Sequence, residues 1–222
     1  MTLIPATILK EKFHILAHFY TTNEGGNKYL MRSEAKIVRK GKEITSVDAV
    51  IVMANPGSCL AIDQTIEFDA FPKVIEEKRF IAANPDPTQY QLMNLMERMQ
   101  WDYLKIINLS DVCTGNYDQF KKYLNEFKHI EFHKHSIFHE SRCAELKSHL
   151  GEESILIYAW GGNSSIKQLA TRVIDEKLKQ KGLILNERPY YRHPKPAKIV
   201  DRAKWLTDME SQLKKRNEKV NN

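Results

Sequence analysis

No stretch of this sequence stays apolar for the ~20 residues that a membrane-crossing helix requires. The N-terminus, MTLIPATILKEKFHILAHF, interrupts its apolar residues with a proline and early lysines, which makes it a poor secretory signal. These absences predict a cytoplasmic protein with no membrane partner. Cysteine is scarce as well. Cys59, Cys113 and Cys143 sit singly, a pattern that offers neither a disulfide framework nor the paired spacing of a zinc or iron–sulfur site. They are expected as small buried side chains. No low-complexity linker, internal repeat, Walker motif or dinucleotide fingerprint occurs, and GGNKY (25–29) is too short to cradle phosphates. The histidines of HIEFHKHSIFHE (129–140) include two pairs spaced four apart, His129/His133 and His135/His139, but no H-E-x-x-H accompanies them. They read as surface histidines, and neither a metal nor a cofactor is expected.

What is present fits one soluble globular domain of 222 residues, 42% hydrophobic and 28% charged, and a monomer is expected. The net charge of +6 permits a polyanionic partner without demanding one. Four short runs rich in Ile, Leu and Val read as strands: SVDAVIVMA (46–54), YLKIINLS (103–110), SILIYAW (154–160) and GLILN (182–186). Their continuity, without alternation, suits strands covered on both faces. Helical patterns lie between them. DPTQYQLMNLMERMQ (86–100) opens with Asp86 as N-cap and Pro87 at the first helical position, and NYDQFKKYLNEF (116–127) spaces Phe120, Tyr123, Leu124 and Phe127 along one face. SSIKQLATRVIDEKLKQKG (164–182) repeats the pattern and stops at Gly182. The alternation predicts an α/β fold, a three-layer α/β/α arrangement around a short, mainly parallel four-stranded sheet. Residues 1–45 read as an irregular or hairpin-bearing extension, 46–200 as the core, and 201–222 as a C-terminal helix and tail.

Ligands of such folds bind beyond the carboxyl ends of the strands, which directs attention to the segment after each run. The four segments are ANPGSC, NLSDVCTGN, WGGNSS and NERPYYRHPKP. In order and placement, MANPG (53–57), IIN (106–108), AWGG (159–162) and HPKP (193–196) resemble the loops of the uracil-DNA glycosylase superfamily. NPG, DPT (86–88), WGG and RHP also resemble a bacterial and phage family of unknown function. The likeness spans residues 47 to 200.

The resemblance implies a glycosylase-like fold and a metal-independent enzyme that hydrolyses the N-glycosidic bond of a base in duplex or single-stranded DNA. Such cleavage develops positive charge on the sugar and negative charge on the departing base. His193, stiffened by Pro194 and Pro196, would donate a hydrogen bond to a base oxygen as charge gathers there. Asn55 would orient water, although N-P-G also suits a tight turn, and an amide cannot itself serve as general base. Asp63, or else Glu34, would supply that base. Asn108 would read the base edge, with Gly57, Ser58, Trp160 and Gly161 completing the base pocket. Gly57 stands where uracil-specific members carry a tyrosine, which leaves room for a modified pyrimidine and suggests a role in antiviral defence. Tyr190 and Tyr191 would stack on a base or fill its vacated space, while Arg192, Lys195 and Lys198 would meet phosphates. Two departures stand out: Ala197 replaces the family's leucine-type wedge, and Lys195 replaces a phosphate-pinching serine. A non-catalytic nucleic-acid-binding module and a hydrolase of free nucleosides or nucleotides are the alternatives.

Overall fold

In the computed structural model, residues 3–71, 78–150, 155–173 and 180–215 are described. The chain opens with helix α1 (Ala6–Lys12) and two long strands, β1 (Phe13–Glu24) and β2 (Asn27–Arg39). These strands pair antiparallel through a turn at Gly25 and Gly26, whose φ angles of 56° and 80° suit the two-residue hairpin turn that matches strand twist. Then come β3 (Ala49–Met53), the two-residue β4 (Ile81–Ala82), α2 (Pro87–Met99), β5 (Tyr103–Asn108) and α3 (Tyr117–His129). The chain continues through α4 (Cys143–His149), β6 (Ile155–Tyr158), α5 (Lys167–Val173), β7 (Gln180–Lys181) and α6 (Ile199–Lys214).

The strands form one sheet in the order β4-β1-β2-β5-β3-β6-β7. The pairs β5–β3, β3–β6 and β6–β7 are parallel, whereas β4–β1, β1–β2 and β2–β5 are antiparallel. The expectation of a four-stranded, mainly parallel sheet is therefore corrected to an α/β fold with a seven-stranded mixed sheet. Three of the four apolar runs, 46–54, 103–110 and 154–160, do make β3, β5 and β6 of the parallel half, and the fourth parallel strand, β7, lies just before the run at 182–186. The missing half is the N-terminal hairpin, which belongs to the sheet and is no peripheral extension; its strands mix polar residues into the apolar pattern.

Apolar side chains alternate between two cores. Ala49, Ile51 and Met53 of β3 face one cluster with Leu9 of α1, Leu92 and Leu95 of α2, and Trp205 and Met209 of α6. Val50 and Val52 face the other, with Phe120 and Phe127 of α3 and Ala170 and Val173 of α5. Helices thus cover both faces, as continuous apolar strands require.

Helix α2 starts where expected. The Asp86 carboxylate accepts from the Thr88 and Gln89 amides while the Gln89 side chain accepts from the Asp86 N–H, a complete capping box. The segment from 164 departs from expectation. A 3-10 turn (Ser164–Ile166) leads into α5, residues 174–179 lie outside the described residues, and Gln180–Lys181 is already strand. The run expected as a strand at 182–186 contributes only a bridge from Ile184 to Tyr191. Gly182 is needed there by close approach: a Cβ would lie 2.5 Å from the Tyr158 carbonyl oxygen. Among the described residues no helix is long and apolar enough to cross a membrane.

Hairpin register has one consequence for the site. Glu34 opposes His18 and Arg32 opposes Phe19, so Ser33 is an extra residue that reverses the facing of every residue before it. Ala35 and Ile37 join the α2/α6 core; beyond the bulge, Met31 and Tyr29 join the other core. Arg32 consequently falls on the α2/α6 side.

Candidate active site

The parallel strands reverse their order at β3, which has β5 on one side and β6 on the other, so the crevice at their carboxyl ends is the expected ligand position. A pocket of about 80 Å³ opens there. Its walls include Asn55 and Gly57 after β3, Asp86 and Gln89 at the start of α2, Arg32 from β2, and His193 from the late loop. The volume is well below the ~300–1,000 Å³ of drug-sized sites. A second pocket of about 370 Å³ shares His193 and adds Gly161, Arg192 and Lys204. A larger open groove, about 850 Å³, is lined by α3 and α5 residues such as Lys128, Lys167 and Arg172. It holds none of the converging groups, so chemistry rather than size singles out the two smaller pockets.

The chain on either side of His193 is tied down by hydrogen bonds to its backbone. Tyr191 bridges Gly161 and Ile184; the Gly161 N–H donates to the Tyr191 carbonyl at 2.8 Å, and the Arg192 N–H donates to Leu183 at 2.6 Å. Trp205 Nε1 donates to the Arg192 carbonyl, and Arg202 Nε donates to the Pro196 carbonyl at 2.8 Å. The imidazole Nδ1 lies 3.2 Å from the Lys195 backbone nitrogen, which can only donate, and 3.4 Å from its carbonyl. The shorter contact favours Nδ1 as an acceptor, with the proton on Nε2. Burial holds this pKa below the ordinary 6.5, although the Lys195 carbonyl and the Asp86 charge oppose the shift. At neutral pH the ring is an uncharged donor.

Asn55 donates Nδ2 to the Thr114 carbonyl at 2.7 Å, which fixes the amide and leaves Oδ1 to accept. Gly57 has φ 69°, and a Cβ there would sit 2.6 Å from Asp86 Oδ2, so only glycine lets the carboxylate lie against this turn. Asp86 uses Oδ1 for the cap. Asn108, fully buried at the end of β5 and paired in register with Met53, accepts from Arg32 Nη2 at 3.3 Å. Its Nδ2 has no partner among the described residues.

Several expected residues lie elsewhere. Asp63 is exposed and accepts from the Thr65 amide and hydroxyl, which lower its pKa; it does not line the pocket. Glu34 is buried among Lys78, Lys36 and His149 instead. Ser58 is exposed outside the pocket wall. Trp160 is 2% exposed, donates to the Pro189 carbonyl at 2.8 Å and packs edge-on against Tyr191. Tyr191 is equally buried, so it cannot stack on a base; Tyr190 remains half-buried. Arg192 pairs with Asp208 at 3.1 Å, Lys195 is half-buried beside His193, and Lys198 is exposed as the residue before α6. Cys59 is buried as expected, but Cys113 is half-buried and Cys143 exposed. Of the clustered histidines, His135 is buried against Ser110, and His133 and His139 stack 5.7 Å apart. Among the described residues no three His, Cys, Asp or Glu side chains gather as a metal site would need.

Three features escape sequence reasoning. Asp86 reads from sequence only as a cap, although its second oxygen faces Gly57. Arg32 carries no local signal at all. Ile199 and Val200, 68% and 69% exposed at the start of α6, form an apolar pair six and seven residues after His193. Comparison with protein-family models, curated proteins and solved structures gives no match to this chain.

Proposed function

We propose that the chain is a glycosylase-like hydrolase acting on the N-glycosidic bond of a base in DNA. One observation carries the reading: Asn55, Gly57, Asp86 and a neutral His193 donor meet in one pocket at the strand order's reversal. As the bond to the sugar breaks, the electron pair leaves with the base, and His193 Nε2–H stabilises the oxygen on which that charge settles. Asn55 Oδ1 accepts from the attacking water. Asp86, in place of Asp63, takes the water's proton as the sugar carbon is attacked. Asn108, which does not line the pocket but accepts from the lining residue Arg32, is assigned the reading of the base edge. The roles of His193, Asn55 and Asn108 follow the resemblance to uracil-DNA glycosylases; that of Asp86 rests on its position alone.

Duplex substrates need an element that enters the stack, and unstacking costs a few kcal/mol. Ile199 and Val200 supply exposed apolar side chains beside the His193 loop, a role that the buried Tyr191 cannot fill. Lys195 and Lys198 precede them in the chain and are assigned phosphate contact. A second reading, hydrolysis of free nucleotides, is favoured by the tightness of the pocket, since a small ligand needs no groove.

Base release and abasic-site formation on phage-derived and ordinary DNA test the proposal. His193→Ala is expected to slow release ~10²–10³-fold, the usual loss for one oxyanion donor, with DNA affinity little changed. Asn55→Ala is expected to act in the same direction. Wild-type release in both variants sinks the assignment, and turnover confined to free nucleotides transfers it to the second reading.

A further inference from the structure

We propose that Arg32 is the floor of a buried oxyanion subsite, to which the ligand presents an anionic oxygen group. Arg32 is 1% exposed and lines the pocket beside Asn55 and His193. Its side chain makes one hydrogen bond, from Nη2 to the neutral Asn108 amide, while Nε and Nη1 have no partner among the described residues. A guanidinium cannot shed its proton at ordinary pH, and a buried charge without a counter-ion is strongly unfavourable. Arg142, buried elsewhere in this protein, obeys that rule and pairs with both Asp111, at 2.6 Å, and Glu145, at 2.8 Å. Arg32 does not, and it faces a cavity.

The surroundings favour an anion over a neutral acceptor. Helix α2, 13 residues long, turns its N-terminal dipole toward the same space, although Pro87 has no N–H and the Thr88 and Gln89 amides are already bound by Asp86. Asn108 turns its oxygen toward Arg32, so its unpartnered Nδ2 adds a third orphan donor nearby. His193 presents a neutral N–H. Against these stands one carboxylate, Asp86, whose Oδ1 is already held by two amides. The volume of about 80 Å³ suits a carboxylate or phosphate-sized group, with the rest of the ligand passing His193 into the wider pocket. Register explains why the feature exists: without the Ser33 bulge, Arg32 would point to the opposite face.

Two sources share this chemistry, a carboxylate carried on the base and the phosphate of a mononucleotide. Calorimetric titration of the full chain with orotate against uracil, and with uridine 5′-monophosphate against uridine, separates them. The charged member of at least one pair is expected to bind at least tenfold more tightly than its neutral partner. Arg32→Met is expected to abolish that preference while leaving the ligand-free melting temperature equal or higher, because an unpaired buried ion is removed. Arg32→Lys should retain part of the preference. Equal affinity within both pairs overturns the proposal, as does an Arg32→Met variant that keeps the preference. An Arg32→Met variant that fails to fold overturns it too, since the guanidinium would then be structural. The titration measures binding without turnover, so failure of bond cleavage leaves this subsite standing and the converse also holds.

Discussion

Replacing Gly57 with alanine tests the link between backbone, helix cap and chemistry. The backbone sits at φ 69°, where an L side chain costs about 1–2 kcal/mol. The added Cβ would also lie 2.6 Å from Asp86 Oδ2, inside any tolerable contact, so the carboxylate must move. Moving it strains the hydrogen bonds from Thr88, at 2.8 Å, and Gln89, at 3.1 Å, and loss of such a cap costs about 0.5–2 kcal/mol. The sum is about 1.5–4 kcal/mol, which at ~2–4 °C per kcal/mol lowers the melting temperature by about 3–16 °C. Gly26→Ala is the control. Its φ is 80° but a Cβ there meets nothing within 4 Å, so only the backbone contribution, about 1–2 kcal/mol, should appear. Thermal denaturation of both variants gives the difference, and base-release assays show whether displacing Asp86 also slows turnover. Equal destabilisation in the two variants would refute the contact between Gly57 and the Asp86 carboxylate.

Asp86→Asn keeps an acceptor for the α2 cap but removes the carboxylate. Release should fall at least tenfold with the melting temperature nearly unchanged, while Asp63→Asn should leave both as they are; the opposite ranking restores Asp63 as the base. Burial, the largest influence on each, lowers His18 to about 4 and His135 to about 3, from an ordinary 6.5. The unfolded chain therefore binds more protons than the folded one below pH 6.5, and stability falls as pH drops from 6.5 toward about 4. Urea titrations at pH 7 and 4.5 should show this loss, and His135→Gln should shrink it; an unchanged difference would remove His135 from the account.

Much of the scaffold is legible because its signals are local. Asp86-Pro87 announces a helix start through the backbone geometry of two adjacent residues, and the cap forms as expected. Runs such as 46–54 and 103–110 are apolar on both sides because both sides are buried, and they become β3 and β5. Boundaries fail where pattern and contact disagree. The helical spacing through 164–182 ignores that Gln180–Lys181 can pair with β6, and pairing depends on what lies alongside. Asp63 looks as suitable as any carboxylate near N-P-G, but its own turn captures it through Thr65. Tyr191 looks like a stacking residue, yet Tyr158 and Trp160 enclose it from positions 33 and 31 residues earlier.

The sequence by itself determined three strands of the parallel half, the loops that follow them, and that a histidine leading into Pro194 and Pro196 would be held stiffly. These follow from periodicity, capping and torsional restriction, which act over a few residues. Tertiary structure alone decided that Arg32 shares a cavity with His193, because that depends on a one-residue bulge, on β2 pairing with β5, and on β5 lying next to β3. Facing on a strand alternates with every residue, so a single extra one changes which side of the sheet a charge enters, and no local pattern records it.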